Sequence, residues 1–251
     1  MAKLFNNIRK KLVADKPSTA RTANYLKYAI GEIVLVMVGI LLALQVNNWN
    51  QNRVASHKEK VLLTELHQEF INNEIQLDTV LKYHNIALKS VNAVIAEFPI
   101  NLKKINLDSL SNKFDGFDYR YTFNPSQGVI KSLVNTSTFE IISNDTLRRL
   151  LISWNDVLAD YQEEEIIAAN NLINHIMPYF NRHSPFRGSF KDKRLDLKFL
   201  TTIEFENQLY GRQNNLQNII GNGSKGTLKN VIELTTIKKT ISKIIALSKT
   251  E

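Results

Sequence analysis

Apolar residues follow two different rhythms along this chain. Residues 33–44 read Ile-Val-Leu-Val-Met-Val-Gly-Ile-Leu-Leu-Ala-Leu, with no polar side chain among them. From residue 53 to residue 98 the pattern becomes a heptad. One set of positions holds Leu63, Phe70, Leu77, His84, Val91 and Phe98; the other holds Leu66, Asn73, Val80, Ala87 and Val94. That stretch has no Gly and no Pro, so it predicts a long amphipathic helix whose two-position stripe suits bundle or coiled-coil packing. Asn73 and His84 interrupt the stripe, where polar residues set register or are satisfied locally. Pro99 should end the helix, because the residue before a proline is pushed out of the helical region.

Residues 100–123 read as irregular. Phe117, Tyr119, Tyr121 and Phe123 alternate within them, which fits a short extended segment; it is expected to cap the core of a bundle, with an aromatic partner-binding patch as the alternative. Asn124-Pro125 predicts a helix start with Asn as the cap, running to Val134, with Gly128 permitting close packing. A short turn holds Phe139, Ile141 and Ile142. Ser143-Asn144-Asp145 opens a longer helix. Its apolar face is Leu147, Leu150, Leu151, Trp154, Leu158, Tyr161, Ile166, Leu172, Ile176 and Tyr179, and Pro178 should bend or end it. A polar, basic loop covers residues 184–196, and a helix covers 203–220. The Gly-rich run 221–226 is a turn. A last helix over 228–247 repeats Val231, Leu234, Ile237, Ile241, Ile244 and Ile245. A short turn between the final two helices predicts that they lie antiparallel. The fold class expected is all-α.

The apolar run predicts a membrane anchor. Residues 29–46 are broken only by Gly31, Glu32 and Gln45, and 18 residues of helix rise about 27 Å, close to a hydrocarbon core of about 30 Å. Tyr25 and Tyr28 stand at one end and Trp49 at the other, as aromatic side chains do at membrane interfaces. Glu32 lies one turn inside Tyr28, within reach of the headgroups; the alternative is a buried partner for a cation on a neighbouring protein. Cleavage of a signal peptide wants small residues after the apolar run, and residues 41–45 offer one Ala, so the segment reads as an uncleaved anchor. Gly31, Leu35, Gly39 and Ala43 recur every four residues and share a face. Gly39 and Ala43 make a small-xxx-small pair that would let a second helix, of the same chain or of a membrane partner, approach closely.

Charge sets the expected orientation. Residues 1–27 carry 7 Lys/Arg against 1 acid, net +6, whereas the remainder carries 25 against 23, net +2. Basic residues stay on the cytoplasmic side, so the organisation expected is a cytoplasmic leader (1–27), a transmembrane helix (28–46) and an exported helical-bundle domain (47–251). The sequence pI of 9.5 comes mostly from that leader. A leader of this kind attracts an anionic bilayer, and the nearly neutral domain gives no footing for nucleic acid.

Little in the chain points to chemistry. There is no Cys, which removes disulfides, thiolate metal sites and Cys nucleophiles. No phosphate loop, dinucleotide fingerprint, nucleophile elbow or HExxH motif occurs. His57, His67, His84, His175 and His183 fall in no metal-ligand spacing, and Glu163-Glu164-Glu165 reads as a solvated acidic face. No catalytic, cofactor-binding or metal residue is assigned. Whether the protein is an enzyme is left open, with nothing in favour.

Two blocks taken together resemble a known family. One is residues 28–50, Tyr-Ala-Ile-Gly-Glu-Ile-Val-Leu-Val-Met-Val-Gly-Ile-Leu-Leu-Ala-Leu-Gln-Val-Asn-Asn-Trp-Asn. The other is Phe123-Asn124-Pro125 through Gly128, followed by Ile142-Ser143-Asn144-Asp145 before a Leu-Arg helix. They are similar to an uncharacterised family of single-pass membrane proteins from Bacteroidetes, especially marine flavobacteria. The resemblance covers most of the chain and weakens after about Phe190. It implies a Gram-negative cell, an inner-membrane location and a periplasmic domain, and it implies no activity. The function expected is a non-enzymatic interaction or scaffold module at the inner membrane. The alternative is a periplasmic small-ligand sensor, which would need a membrane partner to signal.

Overall fold

The structure, a computed structural model, describes residues 19–183, 190, 192, 195–221 and 234–250. Most of the basic leader, most of the loop 184–196, the Gly-rich turn beyond Gly221 and the first residues of the expected last helix lie outside the described residues. The chain divides into two compact units, residues 1–57 and 58–251. Every regular element among the described residues is helical.

The first helix, α1, is assigned from Thr19–Ile95. In the first unit it holds one segment long and apolar enough to cross a membrane, and none of that segment is buried. Residues 30–57 are all exposed.

In the second unit α1 lays down the heptad stripe as the pattern predicts. Leu66, Phe70, Leu77, Val80, Ala87, Val91 and Val94 are buried, with Asn73 and His84 buried among them. The helix ends at Ile95, four residues before Pro99. The stretch expected to be irregular contains about two helical turns, α2 (Leu107–Lys113). Asn106 caps it by accepting from the amides of Asp108 and Ser109 at 3.0 and 3.1 Å.

Helix α3 (Gly128–Thr136) corrects the expected start at Asn124. Its cap position is Gln127, which makes no side-chain capping bond. The cap comes from α1 instead. Glu69 Oε2 accepts from the Val129 amide at 3.1 Å and from the Ser126 hydroxyl at 3.2 Å. Asn73 pairs with the Ser126 backbone in both directions, at 2.7 and 2.9 Å. Pattern reading finds caps close in sequence and cannot see one supplied from about 60 residues away. Gly128 does allow close approach, since a Cβ there would stand 3.1 Å from Glu69 Oε2.

The long helix expected after Asn144 exists in pieces. Asn144 caps it, accepting from Thr146 and Leu147 amides at 3.0 Å each. Helix α4 (Asp145–Ile152) stops at Ser153, α5 (Trp154–Asn171) follows, and a π turn (Leu172–Ile176) leads into α6 (Met177–His183). Pro178 sits in the first turn of α6 and has no N–H for the Asn174 carbonyl. A π turn stands just before it and the chain stays helical to His183, so the proline modifies the helix without ending it.

Helix α7 (Ile203–Ile220) matches its predicted limits and closes on Gly221 in a left-handed conformation, φ 95°. Helix α8 is Leu234–Ser248. The expected antiparallel pairing of these two is overturned. Phe205 packs on Phe98 and Gln213 bonds Asn92 at 2.7 Å, so α7 runs opposite to α1. Lys238 pairs with Asp78, Ser242 bonds Glu74 at 2.8 Å, and the Ile245 carbonyl meets His67 Nδ1 at 3.0 Å. Helix α8 therefore also runs opposite to α1, in the same sense as α7. The long apolar stripe of α1 is covered by the two in succession.

Two apolar cores result. One joins Leu66 to Val80 of α1 with α3, α4, α5 and α8, and has Phe70 edge-on to Trp154 at 5.1 Å. The other joins Ala87 to Val94 with α2, Tyr179, Phe199 and α7. Each fully buried Leu, Ile or Phe contributes about 1.5–3 kcal/mol, so these cores dominate the stability of the unit.

Candidate functional site

Between the two cores the stripe of α1 reaches His84, and the chain crosses it as a strap, residues 117–123, with no regular structure beyond Phe117. A strap with no regular structure has backbone donors and acceptors that no ladder satisfies. Three buried side chains from three helices supply the partners. Arg212 of α7 donates to the Tyr119 carbonyl at 2.7 Å and the Phe117 carbonyl at 3.4 Å. His84 Nε2 of α1 stands 2.9 Å from the Tyr121 carbonyl. Glu165 of α5 accepts from the Phe123 amide at 3.3 Å. The residues holding the strap are 2%, 3% and 8% exposed, respectively.

The strap's side chains are placed accordingly. Phe123 is fully buried and edge-on to Tyr161. Tyr121 lies on the outside, stacked on Tyr83 at 3.9 Å, with Tyr119 edge-on to Tyr83 at 5.4 Å. This fits the expectation of a segment capping the core. Gly116 opens the strap at φ +81°, and a Cβ there would stand 2.8 Å from Ile86 Cγ2.

Electrostatics of the three holders follow from burial. A carbonyl can only accept, so His84 carries its proton on Nε2, leaving Nδ1 buried with no hydrogen-bond partner. Burial pushes the His84 imidazole down to about 4; its bond to Tyr121 opposes this and the nearby Arg212 charge adds to it. Burial pushes the Glu165 carboxyl up to about 7 against its bond to Phe123. Tyr161 beside it is raised by burial and by that carboxyl group, and its hydroxyl makes no hydrogen bond of ordinary geometry. Arg212 falls to about 10 through burial, partly offset by Asp118, and stays charged at neutral pH. Chemically, the arrangement clamps a main chain.

Arg212 and Glu165 were not picked out from the pattern. Arg212 was legible: Phe205, Leu209, Arg212, Leu216 and Ile219 share the buried face of α7. The acidic run Glu163-Glu164-Glu165 suggests that Glu165 is solvated like its two neighbours. It lies four residues after Tyr161 and three before Ala168, and these positions carry the buried face of α5, whereas Ile166 is 58% exposed. Helical phase overrides residue type here. His67, flanked by Glu65 and Glu69, ties α1 to the end of α8 through Ile245 and Ser248 Oγ.

The residues of the expected anchor lie together in the first unit. Tyr25, Tyr28 and Trp49 are each more than half exposed, and Arg53 lies over the Trp49 ring at 5.9 Å. Tyr28 and Trp49 are 21 helical steps apart, about 31 Å. Gly31, Leu35, Gly39 and Ala43 are exposed on α1, with open space beside both glycines. Among the described residues no group of three or more His, Asp or Glu side chains is arranged to hold a metal ion.

Comparison with known proteins gives one match. The model of a family of unknown function, DUF6090, matches residues 32–162. The match runs from Glu32 through the strap and ends within α5, earlier than the resemblance was expected to fade. His84 and the strap fall inside it; Glu165 and Arg212 fall outside. No curated protein and no solved structure matches the chain. With just over half of its residues matched by that model, the chain belongs to the DUF6090 family.

Proposed function

We propose that this is a single-pass inner-membrane protein whose exported helical domain is a non-enzymatic interaction or scaffold module. The observation that carries the membrane reading is the fully exposed apolar segment of α1, bracketed by Tyr25, Tyr28 and Trp49. An exposed surface of that length is costly in water and suits a bilayer. The net +6 of residues 1–27 favours a cytoplasmic N-terminus and a periplasmic domain. The resemblance to single-pass proteins of Bacteroidetes supports the same arrangement.

The scaffold reading is supported by how the buried polar groups are used. A small-ligand sensor needs convergent polar groups free to meet a ligand. Here Arg212, His84 and Glu165 converge, and all three are engaged by the chain's own strap. The partner this reading needs is a second copy or another membrane protein, meeting the anchor on the face of Gly31, Leu35, Gly39 and Ala43.

A reporter active only in the periplasm, fused after Glu251, tests the location. It should be active in a Gram-negative cell, with the fusion fractionating with inner membrane. Activity of a cytoplasm-only reporter at the same point would overturn the orientation. Crosslinking in the native cell then tests the module, with recovery of small-molecule adducts instead of protein adducts counting against it.

A further inference from the structure

We propose that His84 and Glu165 are a counter-titrating pair that keeps the strap closed with nearly constant strength across mildly acidic to neutral pH. Both groups hold the same short segment, two residues apart, at the Tyr121 carbonyl and the Phe123 amide. Both are buried, and among the described residues neither has an ion-pair partner of opposite charge. Each is therefore held neutral while the strap is closed, one as a base and the other as an acid. When the strap lifts, both meet water. His84 then takes up a proton and Glu165 gives one up, so opening exchanges no net proton with solvent.

The other charged and titratable groups around the strap do not disturb this balance. Arg212 faces it from α7 and stays charged whether the strap is open or closed. Tyr161 on α5 is raised by burial and stays neutral in this range. Asp118 and Arg120 on the strap itself lie at the exposed edge, and Tyr119 and Tyr121 stack outward on Tyr83. On opening, His84 and Glu165 change charge with opposite sign.

The shifts give the size of the effect. With His84 moving between 6.5 open and about 4 closed, falling from pH 7.5 to 5 multiplies the open-to-closed ratio by roughly 25 through that group alone. Glu165, moving between 4.5 open and about 7 closed, works the other way over the same interval. The two effects oppose each other, so their product changes far less than either factor alone.

The test uses the full chain in detergent micelles and follows amide hydrogen exchange of residues 117–123, corrected for intrinsic chemistry, at pH 5 and 7.5. In the unsubstituted protein, strap protection should differ by less than about threefold between the two pH values. Glu165→Gln should leave His84 uncompensated, so protection falls roughly 25-fold on going to pH 5. His84→Gln keeps a donor for Tyr121 and should reverse the slope, protection falling more than about tenfold on going to pH 7.5. A change above about tenfold in the unsubstituted protein, or flat profiles in both variants, would overturn the proposal. Should either variant fail to fold, imidazole NMR of the unsubstituted protein decides: His84 neutral at pH 5.5 supports the pairing, and a protonated ring there overturns it.

Discussion

Single residues in this protein act through backbone geometry and through what their side chains do for a distant backbone. Gly116 is the clearest case. At φ +81° a side chain is strained, and any Cβ meets Ile86 Cγ2 at 2.8 Å and the Tyr119 ring at 3.1 Å. Gly116→Ala should destabilise the folded domain by more than about 1 kcal/mol, since Ala at a positive φ loses more than the usual Gly-to-Ala entropy gain returns. Urea denaturation of the micelle-bound chain measures it, and a loss below about 0.3 kcal/mol would show that the strap entry adjusts freely. Asn73 illustrates the second kind of action. Its carboxamide reproduces the pairing of one backbone unit with another, but across 53 residues.

At the scale of elements, what starts each helix separates local from non-local information. Helices α2 and α4 are capped by Asn106 and Asn144 from the residue just before them. Helix α3 is capped by Glu69 of α1. Glu69→Ala should therefore cost about 1 kcal/mol in unfolding free energy, whereas Asn124→Ala should stay within about 0.5 kcal/mol. The reverse ranking would restore Asn124 as the cap. The apolar segment of α1 offers a separate test. If α1 associates through Gly39 and Ala43, Gly39→Ile should weaken a dimer in a bilayer association assay, because the larger side chain holds the helices apart. A dimer unaffected by that substitution would place the contact elsewhere or nowhere.

For the second unit as a whole, stability should depend weakly on pH in the middle of the range, with a sign that can be worked out. Glu165 is raised on folding, so its contribution is full below pH 4.5 and is lost as pH rises through about 7. His84 is lowered on folding, so its contribution is full above pH 6.5 and is lost as pH falls through about 4. Between pH 4.5 and 6.5 one loss offsets the other. Equilibrium unfolding across that window should give a near-constant midpoint for the unsubstituted chain. The midpoint for Glu165→Gln should fall steadily toward acid. An unsubstituted midpoint that slopes as steeply as the variant's would mean that Glu165 is solvated in the native state.

The sequence by itself determined what depends on periodicity and on near neighbours. The heptad stripe of α1, the limits of α7 and the Asn144 cap all appear where those rules put them. Each rests on a repeat of 3.5 to 3.6 residues or on a side chain reaching its own next turn. The direction of α8 relative to α7, the cap of α3, the burial of Glu165 and the grip on the strap were decided only in three dimensions. They depend on which surface of α1 is left to be covered and on which backbone groups are left unsatisfied once the helices pack. A chain of 251 residues offers many side chains able to meet such needs. Proximity picks Glu69, His84, Glu165 and Arg212 from among them, and proximity is a property of the packed fold.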